Sequence, residues 1–442
     1  MAMTNLSDTV FALATGSGKS AVAIIRVSGP QCDSILVKLC KRNDWPRRQA
    51  IYTNIFDENG SVIDKAIVLI FDAPRSFTGE DMIEFQITGG RGVKSAILRN
   101  LNAFSCVRQA EPGEFARRAF ENGKIDLVQV EGLAAIVDAE TQAEARYSSL
   151  MAFGDVSREC ERARSELVHA ASHLEGFLDF SDVEDPRETT MSSVYHALES
   201  ANIILQRLKK GARVAERLRG GFTVAIVGPP NAGKSTLVNC LLQRDAVLVS
   251  EIPGTTRDCL EFFLEIAGFP IVLLDTAGFR STTDPIERMG IQKSKDRIRN
   301  VDLILWLSNR EHAENAFLPD RVVTLKVRTK CDLQNLGHDS DETFVVSART
   351  GEGIDALVLQ IIERAKVFFE DFASPGLGSD RQLAAIVEAI ECIDRALRVS
   401  MQTEELLAED VRAALTAVGR VTGRVDVEDV LDEVFSRLCV GK

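Results

Sequence analysis

The chain has 442 residues, 45% of them hydrophobic and 26% charged, with a net charge of −13. That length allows about three domains of ordinary size, and the composition excludes a disordered or fibrous protein. No apolar run approaches the roughly 20 residues that span a bilayer, and the start MAMTNLSDTV lacks the basic-then-apolar order of a signal peptide. A cytoplasmic protein with no membrane association is therefore expected.

The nine cysteines are scattered without a C-x-x-C pair, which signals neither a disulfide framework nor a zinc site. The negative net charge requires any nucleic acid to bind at local basic patches. Lys41, Arg42, Arg47 and Arg48, and the pair Arg117–Arg118, are candidates, against the alternative of a solvated surface.

Residues 1–118 mix short β-rich runs with turns. AVAIIRVSG (21–29) and KAIVLIFDAP (65–74), each closed by Gly or Pro, predict an α+β domain. Residues 119–219 turn helical: Leu127, Val130, Ala134 and Val137, then Leu167, Ala170, Leu174 and Phe177, then Val194, Leu198, Ala201, Leu205 and Leu208 recur at helical steps. The turn-rich DFSDVEDP (179–186) predicts a loop between long helices. From 220 to 370 the strands FTVAIVG, FPIVLLD, VDLILWL, RVVTLKV and TFVVSA alternate with helical stretches, which predicts a parallel sheet covered on both faces. After the linker SPGLGS, residues 371–442 are helical again, through Leu383, Ile386, Ile390, Ile393 and Leu397 to Val430, Val434 and Leu438. One helical domain, split by insertion of the α/β unit, explains the order.

GPPNAGKS (Gly228–Ser235) matches G-x-x-x-x-G-K-[ST] in full, between a strand and a helix. Loop N–H groups and the positive helix end suit a β-phosphate. Lys234 reaches the β- and γ-phosphates and the Ser235 hydroxyl ligates Mg²⁺. A second loop, GSGKS (16–20), has Leu13 where the first glycine belongs and leads into the β-branched run AVAIIRV, so it is not read as a cradle.

Downstream, PGTTRD (253–258) offers threonines for Mg²⁺. LLDTAG (273–278) ends a strand at Asp275, which can hold the metal through water, and the Gly278 N–H can meet the γ-phosphate. RTKCD (328–332) supplies Asp332 to accept two N–H groups of guanine, with Thr329 keeping a hydroxyl to tie this loop to the cradle. SAR (347–349) offers a backbone N–H to the guanine carbonyl. In this order, each at a strand end, the motifs predict a Ras-like GTPase domain. Phe279 stands where such enzymes place a water-orienting glutamine. Asn231 and switch-loop carbonyls can instead hold a monovalent cation that supplies the missing charge. Asp284 and Glu287 are candidates for positioning water, against the alternative of a solvated helix start.

AIIRVSG, FTGEDMIEFQITGG (77–90), AEPGEFARRAFENGKIDLVQVE (110–131) and the ending LLAEDVRAAL…VLDEVFSRLCVGK resemble the MnmE (TrmE) family of tRNA-modification GTPases along essentially the whole chain. The resemblance implies a multidomain α/β and α protein: an N-terminal α+β domain (1–118) that binds folate and dimerises, a split helical domain (119–219 and 371–442) and an inserted Ras-like P-loop GTPase domain (220–370). It implies a homodimer acting on tRNA with a flavoprotein partner, MnmG (GidA). The expected reaction installs a carboxymethylaminomethyl-type group at carbon 5 of the wobble uridine. A 5-formyl- or 5,10-methylene-tetrahydrofolate derivative would supply the one-carbon unit, and K⁺ and G-domain dimerisation would drive GTP hydrolysis.

Residue by residue, the resemblance implies folate contacts from Arg26, Glu84, Lys124 and Lys442, a chemistry that suits the glutamate tail and the pterin edge. Asn231, Ser250, Ile252 and Thr255 would hold K⁺, and Thr256 would join Ser235 on Mg²⁺. Glu287 would position the water and Lys234 would assist at the phosphates. The remaining nucleotide contacts would come from Ala232, Gly233 and Thr236, from Glu251, Pro253 and Gly254, from Asp275, Thr276, Ala277 and Gly278, and from Thr329, Lys330, Asp332, Ser347, Ala348 and Arg349. Cys439 matches the family's C-terminal cysteine, with its part in chemistry open. The sequence departs from the family pattern at TGSGKSA near the start, at Thr88-Gly89-Gly90 and at DFSDVED. Two other readings are a GTP-switched RNA or ribosome assembly factor and a degenerate nucleotide-binding module.

Overall fold

The computed structural model describes residues 8–179, 187–229, 231–244, 247–251, 259–276, 301–308, 322–333, 343–369, 376–398, 404–425, 431, 434–436, 438 and 441. The chain divides into two compact units, one comprising 1–134, 152–202 and 384–442, the other 135–151 and 203–383.

The first unit begins with strands β1 (Thr9–Leu13), β2 (Val22–Ser28), β3 (Ile51–Phe56), β4 (Val62–Phe71), β5 (Met82–Thr88) and β6 (Val107–Gln109). They form a sheet in the order β3-β4-β5-β2-β1-β6, antiparallel except where β6 joins β1. Alternation places Ala23, Ile25 and Val27, Val68 and Ile70, and Ile83, Phe85 and Ile87 in one core. Helices α1 (Cys32–Cys40) and α2 (Arg91–Asn102) close that face with Ile35, Leu36, Leu39, Ile97 and Leu101.

The basic candidates at 41–48 serve this fold. Lys41, Arg42 and Arg48 lie over the rings of Phe56, Trp45 and Phe71, and Arg47 pairs with Asp33 and Asp72.

Helices α3 (Glu114–Glu121), α4 (Leu127–Asp138), α5 (Gln142–Ala152), α6 (Asp155–Asp179) and α7 (Arg187–Gly220) follow. The helical stripes expected around Leu167, Leu174, Leu198 and Leu205 are buried. Val137 is not: it is 42% exposed at the end of α4, where the apolar spacing predicted burial.

In the second unit, β7 (Phe222–Val227), α8 (Lys234–Arg244), β8 (Val247–Glu251), β9 (Cys259–Ile266), β10 (Phe269–Thr276), β11 (Leu303–Ser308), β12 (Val323–Thr329) and β13 (Thr343–Val346) lead to α9 (Ile354–Phe368). The sheet order is β13-β12-β11-β7-β10-β9-β8. Five of these strands are mutually parallel, as the apolar runs predicted, but β9 is antiparallel to both β10 and β8. The reason is local. Ala267 and Gly268 have φ of 51° and 85°, a two-residue turn that sends the chain straight back and matches strand twist.

α5 lies in sequence within the first helical stretch, yet Ala143 and Tyr147 are buried in this unit's core with Phe222, Leu264 and Ile271. The Ala143 N–H donates to the Gly268 carbonyl at 3.0 Å, and the Tyr147 hydroxyl donates to the Gly211 carbonyl at 2.7 Å. Helices α10 (Asp380–Arg398) and α11 (Glu404–Thr422) follow. Among the described residues no helix is long and apolar enough to cross a membrane.

Candidate active site

The loops after β7, β12 and β13, and the end of β10, all leave the same edge of the sheet, because these strands run parallel through β7 and β11. This carboxyl edge is where open α/β sheets bind ligands. At the cradle, a Cβ on Gly228 would lie 2.3 Å from the Leu307 carbonyl oxygen, so only glycine lets the loop pass beneath β11. Asn231 and Gly233 take φ of 62° and 88°, and the chain then enters α8. Lys234, buried at its start, donates to the carbonyls of Gly228 and Pro229 at 3.0 Å each. Its ammonium is thereby held inside the loop that precedes it. Ser235 and Thr236, on the first turn of α8, and Asn231 are exposed.

The loops after β12 and β13 are tied to this cradle and to each other. The Thr329 hydroxyl donates to the Ala232 carbonyl at 2.6 Å, and the Lys330 ammonium donates to the Asn231 carbonyl at 2.9 Å. Lys330 has φ of 63°, which turns the chain into the single 3-10 turn Cys331–Leu333 and leaves Asp332 exposed. Ser347, fully buried, donates its hydroxyl to Asp332 Oδ1 at 2.8 Å and accepts the Thr350 N–H. Asp332 is thus oriented while keeping acceptor capacity for two N–H groups of a base. Ala348 is half-buried and Arg349 exposed on the same turn.

The GSGKS loop leads into strand β2, and Lys94 holds it by donating to the carbonyls of Ser17 and Gly18 at 3.0 and 2.7 Å. It lacks the strand-loop-helix order of a phosphate cradle.

In the other unit, Arg26 and Glu84 face each other on β2 and β5. The guanidinium donates to Glu84 Oε1 at 3.0 and 2.8 Å, lies over the rings of Phe77 and Phe115, and donates to the Gly441 carbonyl at 3.2 Å. Gly441 has φ of 103° and a Cβ there would lie 2.8 Å from Leu13 O, so the tail needs glycine to lie along β1. Lys124 is exposed, with its stem against Gly79.

Behind this face is a buried polar network that residue patterns alone did not indicate. Arg118, 1% exposed, pairs with Glu114 and Glu80 at 3.0 Å each, and Arg108 pairs with Glu114 at 2.7 Å. Arg118 is therefore no part of a nucleic-acid patch. Burial works against the charge on Glu114, but hydrogen bonds from Arg108, the Glu111 amide and Arg118 outweigh it and hold the carboxyl below its usual value.

Other expected site residues lie outside the described residues: Ile252, Pro253, Gly254, Thr255, Thr256, Ala277, Gly278, Phe279, Asp284, Glu287, Cys439 and Lys442. Ser250 and Glu251 fall on β8, and Asp275 and Thr276 end β10.

A P-loop after the central strand, tied to an Asp-bearing loop and a Ser-bearing loop on one sheet edge, defines a nucleotide-binding protein of the GTPase class. Residues 9–124 match the family described as GTP-binding protein TrmE N-terminus, and residues 127–439 match the MnmE helical domain. The tRNA modification GTPase MnmE of Beijerinckia indica is 42% identical over 439 residues, covering 98% of this chain and 96% of that protein. Those of Rhodospirillum rubrum and Ruegeria sp. are 42% and 39% identical, each over 98% of this chain. The chain belongs to the MnmE family and is a GTP hydrolase.

Proposed function

We propose that this protein is a K⁺-activated GTPase that, with a flavoprotein partner of the MnmG (GidA) kind, modifies carbon 5 of the wobble uridine of tRNA. The observation that best supports the GTPase half is the Thr329–Ala232 tie, which fixes the loop bearing Asp332 against the cradle bearing Lys234. Phosphoryl transfer to water depends on positioning and charge compensation. Lys234 would neutralise developing negative charge on the γ-phosphate, Ser235 would bind Mg²⁺, and Asp332 would select guanine. A bound K⁺ would add positive charge at the phosphates, with Asn231, Ser250, Ile252 and Thr255 as its ligands. Thr256 on Mg²⁺ and Glu287 on the attacking water complete this reading.

The Arg26–Glu84 pair has the chemistry for a folate: a carboxylate for an amino-pterin edge, a guanidinium for carboxylates, and aromatic rings beside them. Bound there, a tetrahydrofolate derivative would supply a one-carbon unit. Lys124, Lys442 and Cys439 belong to the same reading, as do the homodimer, a cytoplasmic location, and the boundaries 1–118, 119–219, 220–370 and 371–442. GTP turnover measured in K⁺ and in Na⁺ tests the cation: a severalfold or larger advantage in K⁺ is expected, and equal rates would remove it. Wobble-uridine analysis of tRNA from a deletion strain tests the modification, since an unchanged uridine profile would leave only a GTP-switched assembly factor.

A further inference from the structure

The chain has five histidines, and two of them sit on one face of α6 at i and i+4. Their rings meet edge to face with centroids 4.4 Å apart, and Nε2 of His169 lies 3.0 Å from Nε2 of His173. Both rings stand outside the core: the buried stripe of this helix is Leu167, Ala170 and Leu174, while His169 is exposed and His173 half-buried. Neither nucleotide hydrolysis nor the Arg26 site uses them.

From this geometry we propose that His169 and His173 form a bidentate site for a late first-row divalent ion of the Zn²⁺, Cu²⁺ or Ni²⁺ type. Metal–imidazole bonds of roughly 2.0–2.1 Å, at the roughly 90° angle of a tetragonal Cu²⁺ or Ni²⁺ site, separate two nitrogens by roughly 2.9 Å. The Nε2 atoms here are 3.0 Å apart. The rings are already in mutual contact on successive turns, so chelation brings no distant groups together. In the free pair one Nε2 donates a hydrogen to the other. Ion binding uses both Nε2 lone pairs, which two neutral rings present together when each carries its proton on Nδ1.

Imidazole nitrogen suits this group of ions, which separates the site from Mg²⁺ and K⁺ chemistry. Among the described residues no cluster of three or more His, Cys, Asp or Glu side chains could hold a metal, so water completes the coordination. Glu166, one turn before His169 on the same face by spacing, adds negative charge to the approach. A bound ion joins two successive turns of α6.

Calorimetric titration of the full-length protein with Ni²⁺ tests this. The wild type should show a saturable site, weakened more than about tenfold in both His169→Gln and His173→Gln and unchanged in His196→Gln. Ni²⁺ should also raise the melting temperature of the wild type and not that of the two variants. Far-UV circular dichroism and GTP turnover, both unchanged, establish that the variants are folded. Absence of a saturable site, affinity within twofold in either variant, or equal loss in His196→Gln overturns the proposal.

Discussion

At the residue scale, single hydrogen bonds decide how the site is held. Thr329 ties its loop to the cradle through one hydroxyl, which reaches the Ala232 carbonyl. Thr329→Val keeps the shape and leaves that carbonyl without its donor, at a cost of about 1–3 kcal/mol. GTP affinity should fall with it, and Thr329→Asn should restore it; nucleotide titration of both variants gives the comparison.

Arg118 is the other residue whose role depends on neighbours. Arg118→Ala removes the guanidinium buried between Glu114 and Glu80, leaving Glu114 to Arg108 and the Glu111 amide and Glu80 to the Ser28 hydroxyl, and should cost about 3 kcal/mol in denaturant unfolding; a loss under about 1 kcal/mol would contradict the network. Glu114 adds a pH dependence. Its folded pKa lies below the ordinary value of 4.5, so its stabilisation is complete above that value and is lost as the pH falls through the folded one. Glu114→Gln should flatten the acid limb of the stability curve, which melts between about pH 3 and pH 6 would reveal.

The element scale shows what periodicity and motif order could and could not convey. Strands β7, β10, β11, β12 and β13 were legible because buried parallel strands are apolar along their whole length. The stripes on α6, α7 and α10 were legible for the matching reason, since one helical face must be buried. The antiparallel β9 escaped notice because Ala267-Gly268 is a weaker turn signal than Asn-Gly. The packing of α5 has no such signal: its apolar residues announce a helix but not the sheet it packs on.

Glycines punctuate the site elements. Gly353 has φ of 73°, and a Cβ there would lie 2.1 Å from the Val345 carbonyl oxygen. Gly353→Ala must displace the start of α9 together with the Ser347–Glu352 turn, so it should cost at least about 2 kcal/mol by thermal melting. It should weaken guanine binding as well. A variant that melts like the wild type would show that the turn has room to move.

At the scale of the whole molecule, one unit gathers guanine-nucleotide motifs on a sheet edge. The other pairs Arg26 with Glu84 and receives the chain's C-terminal tail. The motifs of the first unit were readable because each is a short run fixed to a strand end. Arg26 and Glu84, 58 residues apart, became a pair only through β2–β5 register. Likewise, the contact from Arg26 to the Gly441 carbonyl, 415 residues away, has no local signature.

The central claim is that Asp332 makes the bound base guanine, and exchanging that side chain tests it directly. On the proposed reading Asp332 would accept two guanine N–H groups, each hydrogen bond to the charged group contributing about 1.5–3 kcal/mol, so GTP should be preferred to ATP by on the order of 10³-fold. Asp332→Asn replaces one acceptor with a donor, which fits the carbonyl of xanthine at that edge. Competitive binding of GTP, ATP and XTP to wild type and variant should show preference moving from GTP to XTP. A wild type that binds ATP as tightly as GTP, or a variant that keeps its GTP preference, would contradict the account.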